Sequence, residues 1–315
     1  MPFVPGLFAK HAPKLNGILM WLARTGWPQI TVAVQELARN VCSWTALVDK
    51  QARRVMTYII AHMATGFLML RVSPLDRKQD KLKLLVFSDA DHAGNISTRK
   101  SVSGAAIFLA GPNGTWSMLD WISRTQRTIS LSTAEAELLA AQLALRECLT
   151  ILILLDLFKI EVEVELLVDS AAALSVLLTG ISSKLRYAAK SQGLCAAWCA
   201  QVLKDFAIKA KKVATDHNVA DLFTKAVTSF TFKNLLHLCG WCTPEQAAMH
   251  RCAGMHGAPA FDEPCRCLNF VQKEGDLCMA CSSSSGCRCF NGTTQWDARV
   301  DKEPEKIPLD VDKPV

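Results

Sequence analysis

The chain has 315 residues, of which half are hydrophobic and 20% are charged, and its net charge is +6. This length fits one large or two ordinary domains with buried cores, and the composition excludes a chain without folded structure. The longest apolar run, residues 148–160, is interrupted by Asp156 and Lys159, so we expect no membrane span and no membrane partner. The N-terminus lacks the pattern of a secretion signal, which predicts an intracellular protein, either cytoplasmic or nuclear.

The first part of the chain, residues 1–73, is predicted to be a small helical segment. Apolar residues recur at three- and four-residue spacing from about Leu15 to Leu70, and Gly26-Trp27-Pro28 separates the first two helices. Residues 1–82 hold eleven basic and four acidic residues. This excess of positive charge suits contact with a polyanion and equally suits a solvated surface. Residues 74–82 are polar and charged and are interpreted as a linker.

The middle part, residues 83–241, alternates strand patterns with helix patterns. Gly111-Pro112-Asn113-Gly114 is a strong hairpin signal between the second and third strands. A long helix is predicted from about Ser132 to Phe158 with Thr133 as its N-cap, and one continuous helix is predicted over 185–205. The strands are predicted at 83–90, 102–111, 115–123, 161–170 and 206–215. This order indicates an α/β fold with a mixed five-stranded sheet flanked by helices.

Four acidic residues stand at the ends of these elements. Asp89 and Asp169 end two strands, and Glu137 and Asp221 lie near the start of two helices, so a twisted sheet could bring all four to one edge. Carboxylates that lie together repel one another unless cations lie between them, and Mg²⁺ favours such oxygen ligands. Each acid also has an ordinary structural interpretation, as a turn residue, an N-cap or a first-turn acid.

Five segments in order carry a more specific signal: SDAD at 88–91, RKSVSG at 99–104, STAEAE at 132–137, DSAAA at 169–173 and ADLFTK at 220–225. Together they resemble the ribonuclease H domain of copia-type retrotransposon Pol polyproteins. Residues 17–39 resemble the C-terminal helical end of the reverse transcriptase of that family. Residues 1–82 contain no Y-x-D-D motif, so we expect no polymerase active site there. The resemblance extends over roughly residues 12–241.

The resemblance implies a ribonuclease H-like domain that hydrolyses the RNA strand of RNA–DNA hybrids endonucleolytically with two Mg²⁺ ions, which Mn²⁺ could replace. Asp89 would be shared by both ions, Glu137 and Asp169 would complete one site, and Asp221 would complete the other. We choose Glu137 over Glu135, because Glu135 faces a different side of the helix. The implied partners are the hybrid and other Pol components. The alternative is an inactive remnant that only folds or binds nucleic acid.

Basic residues near these motifs are candidates for contacts with nucleic acid. They are Arg99, Lys100, Lys184, Arg186 and Lys190, and each could instead be an ordinary surface charge. His92 stands where the family often has tryptophan and is interpreted as an exposed turn residue. His217, four residues before Asp221, is interpreted as a capping residue.

The last part of the chain, residues 242–315, loses periodicity and is rich in cysteine and charge. We expect it to be largely irregular. Nine of the 13 cysteines lie between Cys239 and Cys289. The candidate ligands of a tetrahedral Zn²⁺ site are Cys278, Cys281, Cys287 and Cys289, and a reduced, disordered tail is the alternative.

Overall fold

The computed structural model divides the chain into two units, residues 1–260 and 261–315. The residues that it describes all lie in the first unit: 4–63, 66–68, 72, 82–95, 98–112, 115–182, 185 and 187–242. The cysteine-rich tail with its candidate zinc ligands lies outside these residues, as do Lys184, Arg186 and most of the predicted linker.

Three α-helices begin the described chain: α1 (Ala12–Thr25), α2 (Thr31–Arg39) and α3 (Ala46–His62). Their apolar faces form a core of their own, which includes Leu19, Val34 and Trp44. The predicted continuation of helix to Leu70 is wrong, because α3 ends at His62. Strand β1 (Phe67–Leu68) follows and pairs antiparallel with β7 (Trp241–Cys242).

The second layer is a mixed five-stranded sheet, as predicted. Its order is β4-β3-β2-β5-β6, in which β2, β3 and β4 are antiparallel neighbours while β5 runs parallel to both β2 and β6. The central strand β2 is buried along most of its length, which explains its nearly continuous apolar sequence. The strands are β2 (Leu82–Asp91), β3 (Val102–Ala110), β4 (Trp116–Thr125), β5 (Val162–Val168) and β6 (Lys209–Lys212).

Helices on the sheet complete the main core, in which Leu84 and Ile107 of the sheet lie with Leu138 and Leu145 of the longest helix. The predicted single helix over 185–205 is wrong, because the chain turns at Gly193, whose φ is +68°. A positive φ disfavours any residue with a side chain, so glycine stands there. The helices are α4 (Thr133–Leu157), α5 (Ala171–Thr179), α6 (Ala188–Ser191), α7 (Ala196–Asp205) and α8 (Ser229–Leu238).

Helix α4 is long and apolar enough, by length and composition alone, to cross a membrane. No such segment was expected from the sequence, because the longest apolar run, at the end of this helix, is interrupted by Asp156 and Lys159. In the structure Leu138, Leu145 and Cys148 of α4 are fully buried against the sheet. The core helix of a globular protein has a similarly apolar composition, so the composition of α4 is explained by its packing on the sheet.

The N-terminal helices pack directly on β4, which is an edge strand of the sheet. The indole Nε1 of Trp121 donates to the carbonyl of Ala23 at 2.8 Å, and Arg24 Nη1 donates to the carbonyl of Trp121 at 2.6 Å. Arg39 Nη2 donates to Thr125 Oγ1 at 3.1 Å. The helices thereby cover an edge that would otherwise present unpaired backbone groups. Experiments on the sheet should therefore use the full chain.

One buried carboxylate ties the N-terminal segment to α3. Asp49 accepts hydrogen bonds from the backbone N–H groups of Leu7 and Phe8 and from Trp44 Nε1, the last at 2.7 Å. We expect Asp49→Asn to lower the free energy of unfolding by about 2 kcal/mol, because hydrogen bonds to a charged acceptor are lost. Urea denaturation of the wild type and the variant measures this free energy of unfolding. The matched control is Asp156→Asn on an 85% exposed side chain, and equal stability of the two variants would contradict the prediction.

Candidate active site

Two of the acidic residues meet because their strands are parallel neighbours. In the β2–β5 pairing Ser88 lies opposite Val168, so the next residue of each chain segment is an aspartate, Asp89 in β2 and Asp169 just after β5. Both carboxylates therefore stand at the same edge of the sheet. The interpretation of Asp169 as an N-cap is wrong, because Ser170 caps α5 by accepting from the N–H of Ala173 at 3.2 Å.

The N-terminus of α4 brings the third carboxylate, Glu137, to this edge. The N-cap is Ser132 and not the predicted Thr133; its hydroxyl accepts from the N–H of Glu135 at 3.2 Å. Gln126 Nε2 fastens the helix to the sheet by donating to Ser103 Oγ at 2.9 Å and to the carbonyl of Ala136 at 3.0 Å. These bonds define where the first turn of α4 lies over the sheet.

Glu135 has a separate structural role. Its Oε2 accepts from the N–H of Leu131 at 2.9 Å and from the hydroxyl of Tyr187 at 2.8 Å. This carboxylate therefore holds the loop before α4 to the segment before α6. Glu137, two residues further on, is the glutamate that lies with Asp89 and Asp169.

Asp89, Glu137 and Asp169 form a compact carboxylate group. Each offers one oxygen, and these oxygens all lie within 4.8 Å of one another. Asp89 is 1% exposed and Glu137 is 6% exposed, whereas Asp169 is partly exposed. A solvent-facing opening at Asp169 leaves the group accessible from one side.

The fourth acid, Asp221, lies in a short 3-10 helix, Val219–Phe223, rather than at the start of the predicted α-helix. Asn218 caps this turn by accepting from the N–H of Ala220 at 3.3 Å, so the capping role predicted for His217 is wrong. Asn218 Nδ2 also donates to the carbonyl of Ser88 at 3.0 Å, which ties the turn to β2 beside Asp89.

Gly104 permits this close packing of the 3-10 turn on the sheet. It lies opposite Asp89 in the β2–β3 pairing. A Cβ at this position would come within 2.8 Å of the carbonyl oxygen of Ala220 and 2.5 Å of Thr224 Cγ2. The glycine that ends the RKSVSG segment is therefore required by a close approach of backbone to backbone.

Thr224 and Lys225 lie in the ADLFTK segment, but the sequence pattern predicted no role for them. Thr224 Oγ1 donates a short hydrogen bond to Asp89 Oδ2. Lys225 Nζ lies 3.0 Å from Asp221 Oδ1 and 3.6 Å from Asp89 Oδ2. The spacing of four residues between Asp221 and Lys225 could have indicated an ion pair, but nothing local indicates the contact with Asp89.

The protein environment disfavours the charged forms of three of these carboxylates, those of Glu137, Asp169 and Asp221. Burial, and then the charges of Asp89 and Asp169, raise the pKa of Glu137 to about 9. Burial and the charge of Asp89 raise the pKa of Asp221 to about 7, and the same two causes raise the pKa of Asp169. Although burial opposes it, the charges of Asp89 and Asp221 raise the pKa of Lys225. The group as a whole therefore favours the binding of protons or cations.

Two of the candidate nucleic-acid contacts, Arg99 and Lys100, lie in the loop between β2 and β3, next to the end of β2 that holds Asp89. Lys190 is exposed on α6, just after Tyr187, the residue that is bonded to Glu135 of α4. Arg99 and Lys100 therefore lie in the loop that follows the strand of Asp89, whereas the segment of Lys190 is joined to α4 through Glu135.

His92 follows β2 and is only partly exposed, contrary to the expected exposed turn histidine. Its Nε2 lies 3.1 Å from the carbonyl oxygen of Ser130, in the loop that leads into α4. This contact joins the end of β2 to the segment that positions Glu137. The observed role of His92 is thus to connect two loops of the site.

The sheet order, the flanking helices and the carboxylate group define a ribonuclease H-like α/β protein. No protein-family model matches the chain. It is 29% identical over 157 residues to the retrovirus-related Pol polyprotein from transposon TNT 1-94 of Nicotiana tabacum, which covers 49% of this chain and 11% of the polyprotein. It is 30% identical over 128 residues to the transposon Ty5-1 protein of Saccharomyces cerevisiae, covering 41% of this chain and 38% of that protein.

A further relative, secreted RxLR effector protein 161 of Plasmopara viticola, is 31% identical over 145 residues, which cover 44% of this chain and 90% of that protein. Homologues of the chain therefore include retrotransposon Pol proteins. The chain spans 11% of the length of the tobacco polyprotein.

Solved structures of similar fold include LC11-RNase H1 in complex with an RNA/DNA hybrid, with a TM-score of 0.32 and 18% identity over 45% of this chain and 94% of that one. The foamy viral protease-reverse transcriptase in complex with an RNA/DNA hybrid has a TM-score of 0.39 and 12% identity, over 70% of this chain and 27% of that one. These TM-scores are low, so we assign the fold class from the strand order of the sheet and not from these two structures.

Proposed function

We propose that the chain is a metal-dependent ribonuclease that cleaves the RNA strand of RNA–DNA hybrids endonucleolytically, within a copia-type retrotransposon polyprotein. The observation that carries this proposal is the gathering of Asp89, Glu137 and Asp169 into one buried group, with Asp221 beside it. The five segments that surround these acids support the copia assignment and the interpretation of the N-terminal helices as the end of a reverse transcriptase.

The residues present fit a divalent cation. The ligand atoms are carboxylate oxygens, which Mg²⁺ and Mn²⁺ favour, and the raised pKa of Glu137, caused by burial and by its acidic neighbours, indicates an unmet requirement for positive charge. Asp89, Glu137 and Asp169 would hold the ion. When bound, such an ion supplies charge stabilisation to the reacting phosphate and a water of lowered pKa.

The protein itself would hold and orient the nucleic acid. Lys225 carries a positive charge next to Asp89 and Asp221 and is partly exposed, so it can approach a phosphate oxygen. Arg99 and Lys100 border the same edge of the sheet, and Lys190 borders the N-terminus of α4. Contacts of this kind follow the phosphate backbone, and the 2′-hydroxyl of the RNA strand would distinguish it from DNA.

The test is cleavage by the full chain of a hybrid in which either the RNA or the DNA strand carries a label. We expect internal cuts in the RNA strand only, with Mg²⁺ or Mn²⁺, and none with EDTA. Double-stranded DNA and double-stranded RNA are the matched control substrates. Equal cutting of the DNA strand, or cleavage that persists in EDTA, would contradict the proposal.

The second candidate function is that of an inactive remnant that binds nucleic acid. It is favoured by departures from the family's pattern near the site, such as His92 at the position where the family often has tryptophan. The same assay separates the two functions. Retention of the hybrid in a gel-shift experiment, without cleavage in either metal, would support the remnant.

A further inference from the structure

The space between Asp89 and Asp221 already holds a positive charge that belongs to the protein. Lys225 Nζ lies 3.0 Å from Asp221 Oδ1 and 3.6 Å from Asp89 Oδ2. The hydroxyl of Thr224 donates to the same Asp89 Oδ2. Asp89 Oδ2 thus accepts a hydrogen bond from Thr224 and forms an ion pair with Lys225, the next residue of the chain.

The ligand geometry is different on the two sides of Asp89. Among the described residues, the acids whose oxygens could surround one ion together are Asp89, Glu137 and Asp169, within 4.8 Å of one another. Asp221 is not one of these three, and its Oδ1 is paired with Lys225 Nζ at 3.0 Å. Asp89 thus has two carboxylate partners that could share an ion with it, Glu137 and Asp169, and it also lies beside one further carboxylate, Asp221, and the ammonium group of Lys225.

A lysine with only a local structural role would not have this geometry. A local pair four residues apart would join Lys225 to Asp221 alone and would lie in water. Here Lys225 also reaches Asp89 on a central strand, and both carboxylates are nearly fully buried, with side chains 2% and 6% exposed. Lys225 itself is 35% exposed, so water reaches the pair from the lysine side only, and removing the lysine would leave two buried carboxylates without this partner.

We infer that Lys225 takes the place of the second divalent ion, so that the chain binds one ion, at Asp89, Glu137 and Asp169. This inference rests on the proposed function. The Lys225 ammonium is a compact point charge that lies beside Asp221 Oδ1 and Asp89 Oδ2. A second divalent ion could enter only by displacing Lys225 from both carboxylates, and so it would bind much more weakly than the first.

The experiment counts bound ions on the full chain. Calorimetric titration with Mg²⁺ and electron paramagnetic resonance with Mn²⁺ are expected to find one ion per wild-type chain, with any second ion at least about tenfold weaker. Lys225→Met is expected to bind two ions of comparable affinity, whereas Lys225→Arg retains the charge and should bind one. The matched control is Lys204→Met on the exposed face of α7, which should behave as the wild type.

The possible failures are distinguishable. Two ions of comparable affinity on the wild-type chain would overturn the inference and leave the proposed function standing, and this measurement requires no variant to fold. An unchanged count of one ion in a folded Lys225→Met variant would also overturn it. If the wild-type chain binds no more Mg²⁺ or Mn²⁺ than Asp89→Asn does, the proposed function itself fails.

Discussion

Replacing Asp89 by asparagine is expected to lower the rate of RNA-strand cleavage by at least about 1,000-fold, equivalent to about 4 kcal/mol of transition-state stabilisation. The physical reason is the central position of this carboxylate. It shares the ligand group with Glu137 and Asp169 on one side, and on the other it accepts from Thr224 and pairs with Lys225. Asparagine has nearly the same shape, so the change removes charge while it leaves the packing in place.

The stability of the same variant separates loss of chemistry from loss of fold. Asp89 is a cause of the raised pKa of Glu137, Asp169 and Asp221. Removing its charge relieves that repulsion but also weakens the contacts with Thr224 and Lys225, while Lys225 keeps its pair with Asp221. Asp89→Asn without metal should therefore stay folded at pH 8, with a free energy of unfolding within about 2 kcal/mol of the wild type. Asp156→Asn, on an exposed side chain, is the control for activity and stability. Cleavage by Asp89→Asn at the wild-type rate would refute the proposed site.

The metal-free protein is expected to lose stability as the pH rises from about 5 to about 9. Glu137 has a pKa raised from 4.5 to about 9 by burial and by its acidic neighbours, and Asp221 has one raised from 3.8 to about 7. Between the unfolded and folded pKa values the folded state binds more protons, so the free energy of unfolding falls with pH. For one such group the slope reaches about 1.4 kcal/mol per pH unit, and the effect is absent below about pH 4, where both states are protonated.

Mg²⁺ is expected to reverse this trend, because the ion binds the ionised carboxylates. The stabilisation by a fixed Mg²⁺ concentration should be larger at pH 9 than at pH 6, and it reaches about 2.7 kcal/mol when the free ion exceeds its dissociation constant a hundredfold. Urea denaturation at several pH values, with EDTA or Mg²⁺, measures both effects. Glu137→Gln is the matched control and should flatten the metal-free profile. A metal-free stability that is constant or rising from pH 6 to pH 9 would contradict the prediction.

Elements with strong local patterns were predictable from the sequence. The apolar run of β2, the hairpin signal after β3 and the long periodic pattern of α4 each lie within a residue or two of the observed element. The candidate acids were predictable because each stands at the end of such an element. Their assignment as one site also required the five-segment resemblance, because Asp89 and Asp221 are individually ordinary turn and helix residues.

Elements that depend on distant partners were not predictable. Strand β1 has only two residues, and it exists because Phe67 pairs with Cys242 at the other end of the described chain. The break at Gly193 is held by Gln142 of α4, whose side chain bonds the carbonyl of Gly193 at 2.9 Å and the N–H of Cys195 at 2.7 Å. A glycine within a helical pattern does not by itself indicate such a break.

The sequence by itself determined which chemical groups are available and on which elements they lie, because helix and strand periodicity depends on neighbours a few residues apart. Only the tertiary structure decided that Lys225 lies between Asp221 and Asp89, and that the N-terminal helices cover β4. The distance between Lys225 and Asp89 is set by the packing of the 3-10 turn on Gly104 and by the bond from Asn218 to Ser88. These contacts join residues more than a hundred positions apart, which no local pattern records.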